Sequence, residues 1–462
     1  MKYFYTYITS LAYISIFSIF VACTGNVVPE NLVLPTEEQV AWANAEIGVI
    51  IHLDINIYAP ETFQYNDKNT LPPLSVFNPS HLDTDQWIKA AKSAGANYAV
   101  LVAKHGTGFA LWPTKANDYH IGNTNWKNGK GDIVADFIAS CEKYDVKPGI
   151  YYNTNVNTLY GAAFKKFDQD EQKAYNNIVL KQLTELWTNY GPLFEIWFDG
   201  GVMTDQKGGI ASSVSKLIDT HQPQAILFQG PSSSNNLIRW VGNEDGRVPY
   251  PHWSTSNFTT SSLGIEEILG LNGDPDGTIW CPGEADFPNR KKSAWNGGWL
   301  WRESEEEHLF SSDEFIERYY TSVGHNANML IGMVIDTAGM FPSADAHIFK
   351  EFGEKINDIF YHKVAITKGE GDVVELKIAK TPVRIDHIVI QEDIAKGERV
   401  REYRIDGWID GNWKCICEGT SIGHKRIHKI PEIEVTKIRF IVEKSIARPH
   451  LKEISVFDSN SK

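Results

Sequence analysis

The chain has 462 residues, enough for two or three domains with a large buried core. Its net charge of -14 and its pI near 5.5 argue against a nucleic-acid partner, because phosphate binding needs a cationic surface. Hydrophobic residues make up 42% and charged residues 22% of the chain, as in ordinary globular proteins. Fourteen Trp, nineteen Tyr and twenty-two Phe supply many flat rings, which suit stacking on sugars as well as core packing.

The N-terminus has the pattern of an export signal. Lys2 precedes an apolar stretch from Tyr3 to Ala22, and the terminal position with a single basic flank favours a signal peptide over a membrane span. Cys23 directly follows Val-Ala, as in bacterial lipoprotein processing sites. We expect residues 1–23 to be a signal peptide, Cys23 to carry a lipid anchor, and residues 24–35 to be a tether. Simple cleavage and a retained anchor are the alternatives to this periplasmic or cell-surface lipoprotein.

Residues 36–361 alternate short apolar runs with amphipathic segments. Alternation of this kind predicts parallel βα units, and about eight units in roughly 300 residues predict a (β/α)8 barrel, an α/β fold. The expected strands are Ile47–Leu53, Tyr98–Ala103, Pro148–Asn153, Leu193–Phe198, Ala225–Gln229, Trp240–Asn243, Thr278–Pro282 and Met329–Val334. The expected helices are Asp83–Ala94, Ile133–Tyr144, Glu171–Tyr190, Ala211–His221 and Ala344–Ile359.

Residues 362–462 have a different texture, with alternating apolar and polar residues between short turns. This pattern predicts a C-terminal antiparallel β-sandwich. The sandwich would serve as a structural cap on the barrel or as a carbohydrate-binding module, and few exposed tryptophans beyond Trp408 and Trp413 favour the cap.

The sharpest local motif is Glu195–Gly201, in which an apolar strand ends in an aromatic pair, a carboxylate and two glycines. A carboxylate at the C-terminal tip of a barrel strand points into the catalytic mouth. The glycines permit a tight turn and close approach of a ligand. The motif alone fits equally well an Asp199 that merely caps the following turn.

The Trp-Phe-Asp-Gly-Gly run resembles the nucleophile motif of glycoside hydrolase family 29, the α-L-fucosidases. Other segments resemble that family in the same order: Gly48–His52, Ala103–Phe109 with Leu111–Trp112, Gly149–Tyr152 and Gly324–Leu330. The resemblance implies a retaining exo-α-L-fucosidase that acts on fucosylated glycans, with Asp199 as the nucleophile. It implies no metal and no cofactor, since a pair of carboxyl groups suffices for the chemistry.

Retention requires a second carboxyl group about 5–5.5 Å from the nucleophile as acid and base. Glu244 lies in Trp240–Glu244, a Trp-x-Gly-Asn-Glu segment that resembles the acid segment of a subgroup acting on α-1,3 and α-1,4 linkages in bacterial glycan degradation. Glu284, in Trp280–Asp286, is the rival acid. If Glu284 is not the acid, the resemblance suggests that it binds the sugar beyond fucose.

Two segments depart from the family pattern. Leu53-Asp54 follows His52 where the family usually has Trp-Gly, and Gly106-Thr107 replaces the usual His-Asp, so one hydroxyl-binding imidazole is missing. The substrate could therefore be a related sugar such as an α-L-galactoside, or the chain could be a non-catalytic carbohydrate-binding protein. The expected substrate-binding residues are His52, Glu61, His105, Tyr151, Tyr152, Trp197, Arg239, Asp286 and Trp299.

Overall fold

The computed structural model describes residues 32–162, 165–260, 266–268 and 270–460. The expected signal peptide, Cys23 and most of the expected tether lie outside these residues. No helix in the described ranges is both long enough and apolar enough to cross a bilayer.

Eight parallel strands close into a barrel, and their order around the barrel follows the chain. The first and last strands close the barrel, in register from Ile47 opposite Met329 to His52 opposite Val334. The predicted parallel barrel with surrounding helices is confirmed. The barrel strands are β1 (Ile47–His52), β2 (Tyr98–Lys104), β3 (Lys147–Asn153), β4 (Glu195–Asp199), β5 (Ile226–Phe228), β6 (Leu237–Trp240), β7 (Gly283–Phe287) and β8 (Ala327–Val334).

The sixth and seventh strands differ from the prediction. β6 ends at Trp240, where the predicted strand began. The predicted strand Thr278–Pro282 is wrong, because Ile279–Trp280 pairs antiparallel with Thr255–Ser256 outside the barrel. The chain enters the barrel just after Pro282, a residue that has no N–H to donate to a strand ladder.

The helices pack around the outside of the barrel, except α1, which precedes β1. α1 begins with a capping box in which Thr36 Oγ1 accepts from the Gln39 N–H at 3.1 Å. From α1, Trp42 donates to Glu195 Oε2 at 3.2 Å and is 1% exposed, so α1 closes the N-terminal end of the barrel. The helices are α1 (Glu37–Ala43), α2 (Thr84–Ser93), α3 (Ile133–Tyr144), α4 (Gln169–Asn189), α5 (Ala211–His221), α6 (Ser312–Thr321) and α7 (Ser343–Phe360).

The predicted bounds of α3 and α5 match the structure, while α1 and α6 were absent from the prediction. Among the described residues no helix lies between β5 and β7. Loops occupy that part of the barrel mouth.

The C-terminal region consists of two four-stranded antiparallel sheets, β9-β16-β11-β14 and β10-β15-β12-β13. Both sheets contribute to one buried apolar cluster, with Ile388 and Ile454 from the first and Ile405 and Phe440 from the second. The strands are β9 (Lys363–Glu370), β10 (Val373–Lys377), β11 (Val383–Glu392), β12 (Val400–Ile409), β13 (Asn412–Gly419), β14 (Arg426–Val435), β15 (Lys437–Ser445) and β16 (His450–Phe457).

The C-terminal region is joined to the barrel beside the N-terminal end of β8. The Asn326 side-chain amide donates to Glu398 Oε1 at 2.6 Å, and the same side chain accepts from the His424 N–H at 2.7 Å. Phe360 of α7 packs edge-on against Phe457 with ring centroids 5.3 Å apart. These contacts leave the C-terminal ends of the barrel strands to the loops.

Candidate active site

Asp199 is the last residue of β4, and its carboxylate is held by two side chains of β3. Its Oδ2 accepts from the Asn153 amide at 2.8 Å and from the Tyr151 hydroxyl. Tyr151 and Asn153 are two residues apart on one strand, so their side chains point to the same side. The two donors fix the orientation of a half-buried carboxylate at the barrel mouth.

The chain turns away directly after Asp199 at two glycines. Gly200 and Gly201 both have φ of +71°, a left-handed conformation that other residues rarely adopt. The Gly201 N–H donates to the Phe198 carbonyl at 3.2 Å, and the Asn155 amide donates to the Gly200 carbonyl at 2.8 Å. The turn therefore leaves the Asp199 carboxylate at the tip of β4.

A cavity of about 90 Å³ surrounds this carboxylate at the C-terminal ends of the strands. It brings together most of the residues that the sequence singles out, from seven different segments of the chain. The residues that line it are Ile50, His52, His105, Tyr151, Trp197, Asp199, Glu244, Asp286, Asn296 and Trp299.

Two imidazoles form one wall of the cavity. The His52 ring lies 5.1 Å from the Trp299 ring and 6.0 Å from the His105 ring, and His105 stacks on Tyr151 at 5.9 Å. Burial lowers the pKa of His52 to about 3 and the pKa of His105 to about 4. Both rings are therefore neutral at pH 7, and each offers one donor and one acceptor, the combination that a hydroxyl group needs.

Trp197 forms the floor of the cavity. Its ring lies flat on Phe228 at 3.7 Å and 8° and stacks on Tyr151 at 5.2 Å and 20°. Its indole N–H donates to Glu284 Oε2 at 3.0 Å, deeper in the barrel. The floor is thus a rigid, largely apolar surface beneath Asp199.

Glu244 reaches the cavity from the loop after β6. It is half-buried and has φ of +48°, a conformation that costs a non-glycine residue about 1 kcal/mol or more. Neighbouring bonds hold the loop, with the Asn243 amide donating to the Arg247 carbonyl and the Asp245 N–H donating to Asn243 Oδ1, both at 2.9 Å. Strained non-glycine residues of this kind cluster at functional sites.

Asp286 adds a third carboxyl group to the cavity. Its Oδ1 accepts from the Trp240 indole N–H at 2.7 Å, and the side chain is 4% exposed. Burial raises the pKa of Asp286 to about 8, with further increases from the Glu244 and Glu284 carboxylates. Asp286 is therefore mostly protonated at pH 7, and it lies close enough to Glu244 for the Glu244 carboxylate to favour this protonated form.

The structure places Glu284 outside the cavity, in the barrel interior. It is fully buried, and its two oxygens accept from the Tyr98 hydroxyl at 2.6 Å and from the Trp197 indole at 3.0 Å. Residues 284 and 286 both point inward from β7, but residue 284 lies one layer deeper. Glu284, predicted as the rival acid or as a sugar ligand, therefore does not line the cavity that holds Asp199 and Glu244.

Three other predicted substrate residues do not line the cavity. Tyr152 points away from the barrel interior and donates to Gln182 Oε1 on α4 at 2.6 Å. The Arg239 guanidinium donates to His252 Nε2 at 2.6 Å and to the Trp253 carbonyl at 2.8 Å. Tyr152 and Arg239 each lie next to an inward-facing residue on their strand, and side chains of adjacent strand residues point to opposite sides. The Glu61 side chain is 74% exposed and pairs with Arg302.

Asn153 and Asn296 are at the site without having been expected from the sequence. Asn153 lies two residues after Tyr151 on β3, so the period of a strand could have placed it beside Asp199. Asn296 has φ of +50° in the turn Trp295–Gly298, where Asn before Gly is a common turn signal. The Asn-Gly signal predicts a turn but does not predict that this turn lies at the barrel mouth.

A second, larger cavity of about 500 Å³ adjoins the first beside the Gly200-Gly201 turn. Trp240 lines the larger cavity and donates to Asp286, which lines the smaller one. Arg239 contributes to this larger space, whose remaining lining is Gln229, Gly230, Ile238, Gly242, Ile268, Gly270 and Leu271. The site thus combines a small pocket, closed by aromatic and ionisable groups, with a wider neighbouring space.

The family profile described as Alpha-L-fucosidase matches residues 33–358, the whole barrel region. The chain belongs to the alpha-L-fucosidase family. It is therefore a glycoside hydrolase, and the small pocket with its carboxyl groups lies where barrel enzymes carry their chemistry.

Individual members of the family extend the likeness over nearly the whole chain. "Alpha-L-fucosidase 1" of Arabidopsis thaliana is 27% identical over 92% of this chain and 88% of its own length. A solved structure of a candidate alpha-L-fucosidase from Bacteroides thetaiotaomicron VPI-5482 has a TM-score of 0.85 and 34% identity, covering 92% of this chain and 99% of that chain. A glycoside hydrolase 29 family member from an unknown rumen bacterium has a TM-score of 0.77 and 28% identity, covering 93% and 78%.

Proposed function

We propose that the protein is a retaining exo-α-L-fucosidase, with Asp199 as the nucleophile and Glu244 as the acid and base. The observation that carries the proposal is that Asp199, at the end of β4, and Glu244, in the loop after β6, line one small pocket. Asp199 is oriented by Tyr151 and Asn153, and Glu244 by its strained loop. A positioned pair of carboxyl groups is what double displacement at a sugar carbon requires.

In the first step, Glu244 gives its proton to the glycosidic oxygen while an Asp199 oxygen attacks C1 of fucose. The C1–O bond to the leaving sugar breaks, and a fucosyl ester of Asp199 forms. In the second step, the Glu244 carboxylate takes a proton from water as the water oxygen attacks C1. The ester bond breaks, Asp199 is restored, and fucose leaves with its original anomeric configuration.

Recognition of the fucose ring is assigned to the neutral imidazoles and the aromatic floor. His52 and His105 each present a donor and an acceptor to ring hydroxyls, and Trp299 closes the pocket beside His52. Trp197, held between Phe228 and Tyr151 of the two neighbouring strands, supplies an apolar ring edge for the C5 methyl group. An α-L-galactoside carries a hydroxymethyl group there, which such a surface disfavours.

The larger cavity supports cleavage of α-1,3 and α-1,4 linkages to a branched oligosaccharide. It begins at the Gly200-Gly201 turn and is bordered by the side chains of Trp240 and Leu271, which are 36% and 44% exposed. Exposed apolar side chains beside a reaction centre offer a stacking surface for the sugar that leaves. The size of this space favours a glycan leaving group over a small alcohol.

The test measures free fucose from α-1,2, α-1,3, α-1,4 and α-1,6 fucosylated oligosaccharides, and free L-galactose from an aryl α-L-galactoside. The proteins compared are wild type, Asp199→Asn and Glu244→Gln. We expect release from the 1,3 and 1,4 linkages and losses above about 10³-fold in Asp199→Asn. Proton NMR during turnover should show the α-anomer of fucose first. Initial β-anomer would contradict retention, and no fucose from any substrate would leave a binding protein or another glycosidase.

We infer that the two C-terminal sheets form a β-sandwich that caps the barrel and does not bind sugar. Residues of both sheets share one apolar cluster. The Trp408 and Trp413 rings contact each other at 5.3 Å, and the Lys437 ammonium lies 4.6 Å and 4.7 Å from their centroids. The Lys437 ammonium already occupies the space over these rings. Replacing both tryptophans should therefore leave the binding of the protein to immobilised glycans unchanged.

We further propose export as a lipoprotein with Cys23 as the mature N-terminus. The basis is the apolar stretch before Cys23 and the Val-Ala that precedes it. Membrane fractions of cells expressing wild type should contain the protein with a lipid mass on Cys23. Cys23→Ser should shift the protein out of the membrane fraction, and equal distribution of both forms would refute the anchor.

A further inference from the structure

The Tyr65 ring fills the space beside Gly106, where the family pattern has a histidine. A Cβ atom on Gly106 would lie 3.0 Å from Tyr65 Cε1 and 3.2 Å from Val156 Cγ1. The φ of Gly106 is not in the left-handed region, so it is the limited space and not the backbone conformation that favours glycine there. A side chain at position 106 would therefore have to displace the phenol ring of Tyr65 from its present position.

Backbone bonds hold the two segments together. Thr158, which is 1% exposed, donates through its hydroxyl to the Tyr65 carbonyl at 2.6 Å and through its N–H to the Gly106 carbonyl at 2.8 Å. Phe63 packs edge-on against the Tyr65 ring at 4.7 Å. The position of the phenol is thus fixed from both sides, as expected of a group that orients another.

The phenol oxygen lies 3.3 Å from Nδ1 of His105, a residue that lines the pocket. Asn56 donates its amide to the same oxygen at 3.2 Å, so the phenol's own proton is free to point at His105. The other group near Nδ1 is Asp54, whose Oδ2 is 3.8 Å away and outside hydrogen-bonding distance. Asn296, also in the pocket lining, interacts with the same phenol.

The bond from Tyr65 decides which imidazole nitrogen carries the proton. If Nδ1 accepts from the phenol, the neutral ring must carry its proton on Nε2. The groups that face the ring from the other elements are His52 on β1, Lys104 on β2, Tyr151 on β3 and Asp199 on β4. The hydrogen bonds of Lys104 and Tyr151 go to Asn153 and Asp199, which leaves Tyr65 as the bonded partner of the His105 ring among the described residues.

We propose that Tyr65 is a positioning residue that holds His105 as an Nε2–H donor toward a hydroxyl of the bound sugar and links it to Asn296. The proposal rests on the proposed function for the identity of the sugar, but the state of the ring itself is independent of it. In this proposal the Tyr65 ring occupies the space beside Gly106 where the family pattern has an imidazole. Hydroxyl recognition then depends on the loop between β1 and α2.

The first arm of the test reads the ring directly, by ¹⁵N NMR of histidine-labelled protein at pH 6 with His105→Gln for assignment. At this pH the Asp54 carboxyl, whose pKa burial raises to about 7, is mostly protonated and does not attract a proton to Nδ1. Wild type should show a protonated Nε2 and an unprotonated Nδ1. Tyr65→Phe should give a mixture of tautomers, and a wild-type ring protonated on Nδ1 would overturn the proposal.

Two variants control this arm. Tyr58→Phe removes a hydroxyl from the same region, but one that donates to the Thr337 carbonyl at 3.0 Å, and it should leave the His105 signals unchanged. Gly106→Ala keeps the phenol but displaces its ring, and it should change the tautomer as Tyr65→Phe does. An unchanged His105 ring in both Tyr65→Phe and Gly106→Ala would refute the positioning role.

The second arm compares aryl L-fucoside with its 2-, 3- and 4-deoxy analogues. Tyr65→Phe should lower kcat/KM for the fucoside about threefold to tenfold, the usual worth of one neutral hydrogen bond. One deoxy analogue, lacking the hydroxyl that His105 binds, should show no further loss on Tyr65→Phe. Equal loss on all analogues would contradict the proposal, whereas no turnover of any fucoside by wild type would refute the proposed function and leave the NMR arm to decide.

Discussion

The indole nitrogen of Trp197 lies 3.0 Å from Glu284 Oε2, which joins the floor of the pocket to a carboxyl group in the barrel interior. The other oxygen of Glu284 accepts from Tyr98, and Glu195 is the neighbouring buried carboxyl. Burial raises the pKa of both acids, so the interior of the barrel favours their protonated forms. Glu284 therefore supports Trp197 from below, and Trp197 in turn stacks on Tyr151, which bonds to Asp199.

This arrangement predicts a large loss of activity on replacing Glu244 and a small loss on replacing Glu284. Glu244→Gln should lower kcat/KM on natural linkages by about 10²-fold to 10⁴-fold, the usual contribution of a general acid. Glu284→Gln keeps a carbonyl acceptor for Trp197 or Tyr98 and should cost no more than about tenfold. Steady-state release of fucose measures both, and azide should restore aryl fucoside turnover in Glu244→Gln alone. Rescue of Glu284→Gln instead would return the acid to Glu284.

The local signals in the sequence were sufficient to place Asp199. Glu195–Asp199 is a short aromatic strand closed by two glycines, and both glycines have the left-handed conformation that this turn requires. The positions of β1 to β4 follow from equally local apolar runs. The predicted strand before Glu244 begins three residues later than β6 in the structure. Glu244 still lines the pocket, because loops after parallel strands meet at the same end of a barrel.

β7 could not be predicted from hydrophobicity. Because the strand was predicted too early in the chain, the depth of Glu284 in the barrel was not predicted either. Gly283–Phe287 has acids at two of its five positions, since both point into the barrel, while the preceding Thr278–Pro282 is more apolar and lies outside. Which of Glu284 and Asp286 reaches the pocket depends on depth along the strand, a property of the closed barrel. The contact between Tyr65 and His105 could not be predicted from the sequence either, because forty residues separate them and only the closed barrel brings them together.

Tyr151 and Tyr152 offer a matched pair of hydroxyl deletions on opposite sides of β3. Tyr151→Phe removes a donor to the Asp199 carboxylate, and hydrogen bonds to charged groups are worth about 1.5–3 kcal/mol, so kcat/KM should fall about tenfold to a hundredfold. Tyr152→Phe removes a bond to Gln182 on α4 and should lower thermal stability with unchanged kcat/KM. Equal kinetic losses in the two variants would contradict the orientation of β3 side chains.

The buried Asp286 carboxyl predicts a pH dependence of stability. Burial raises its pKa from the ordinary 3.8 to about 8, so the folded protein holds this proton more tightly than the unfolded chain. Stability from this group is thus complete below pH 4 and is lost as pH rises toward 8. Asp286→Asn cannot ionise and retains an acceptor for Trp240, so its melting temperature should fall less than that of wild type between pH 5 and pH 8. Parallel curves for the two proteins would show that Asp286 titrates normally.

A buried ion pair just beyond β7 stabilises the barrel and does not belong to the pocket. Arg290 Nη2 lies 2.9 Å from Asp345 Oδ2, both side chains are fully buried, and Asn289 donates to Asp345 Oδ1 at 2.5 Å. Asp345 is on α7, so the pair fastens the last helix to the loop after β7. Asp345→Asn leaves the guanidinium charge buried without its partner and should lower the free energy of unfolding by about 3–5 kcal/mol.

Urea unfolding followed by tryptophan fluorescence measures this loss, and the same helix supplies the control. Glu354 forms an exposed pair with Lys350 on α7, so Glu354→Gln should leave the unfolding midpoint unchanged. The KM of folded Asp345→Asn for fucosylated substrates should equal that of wild type, because neither Arg290 nor Asp345 is part of the pocket lining. A raised KM with unchanged stability would instead place Arg290 in substrate binding and remove the structural role assigned to the pair.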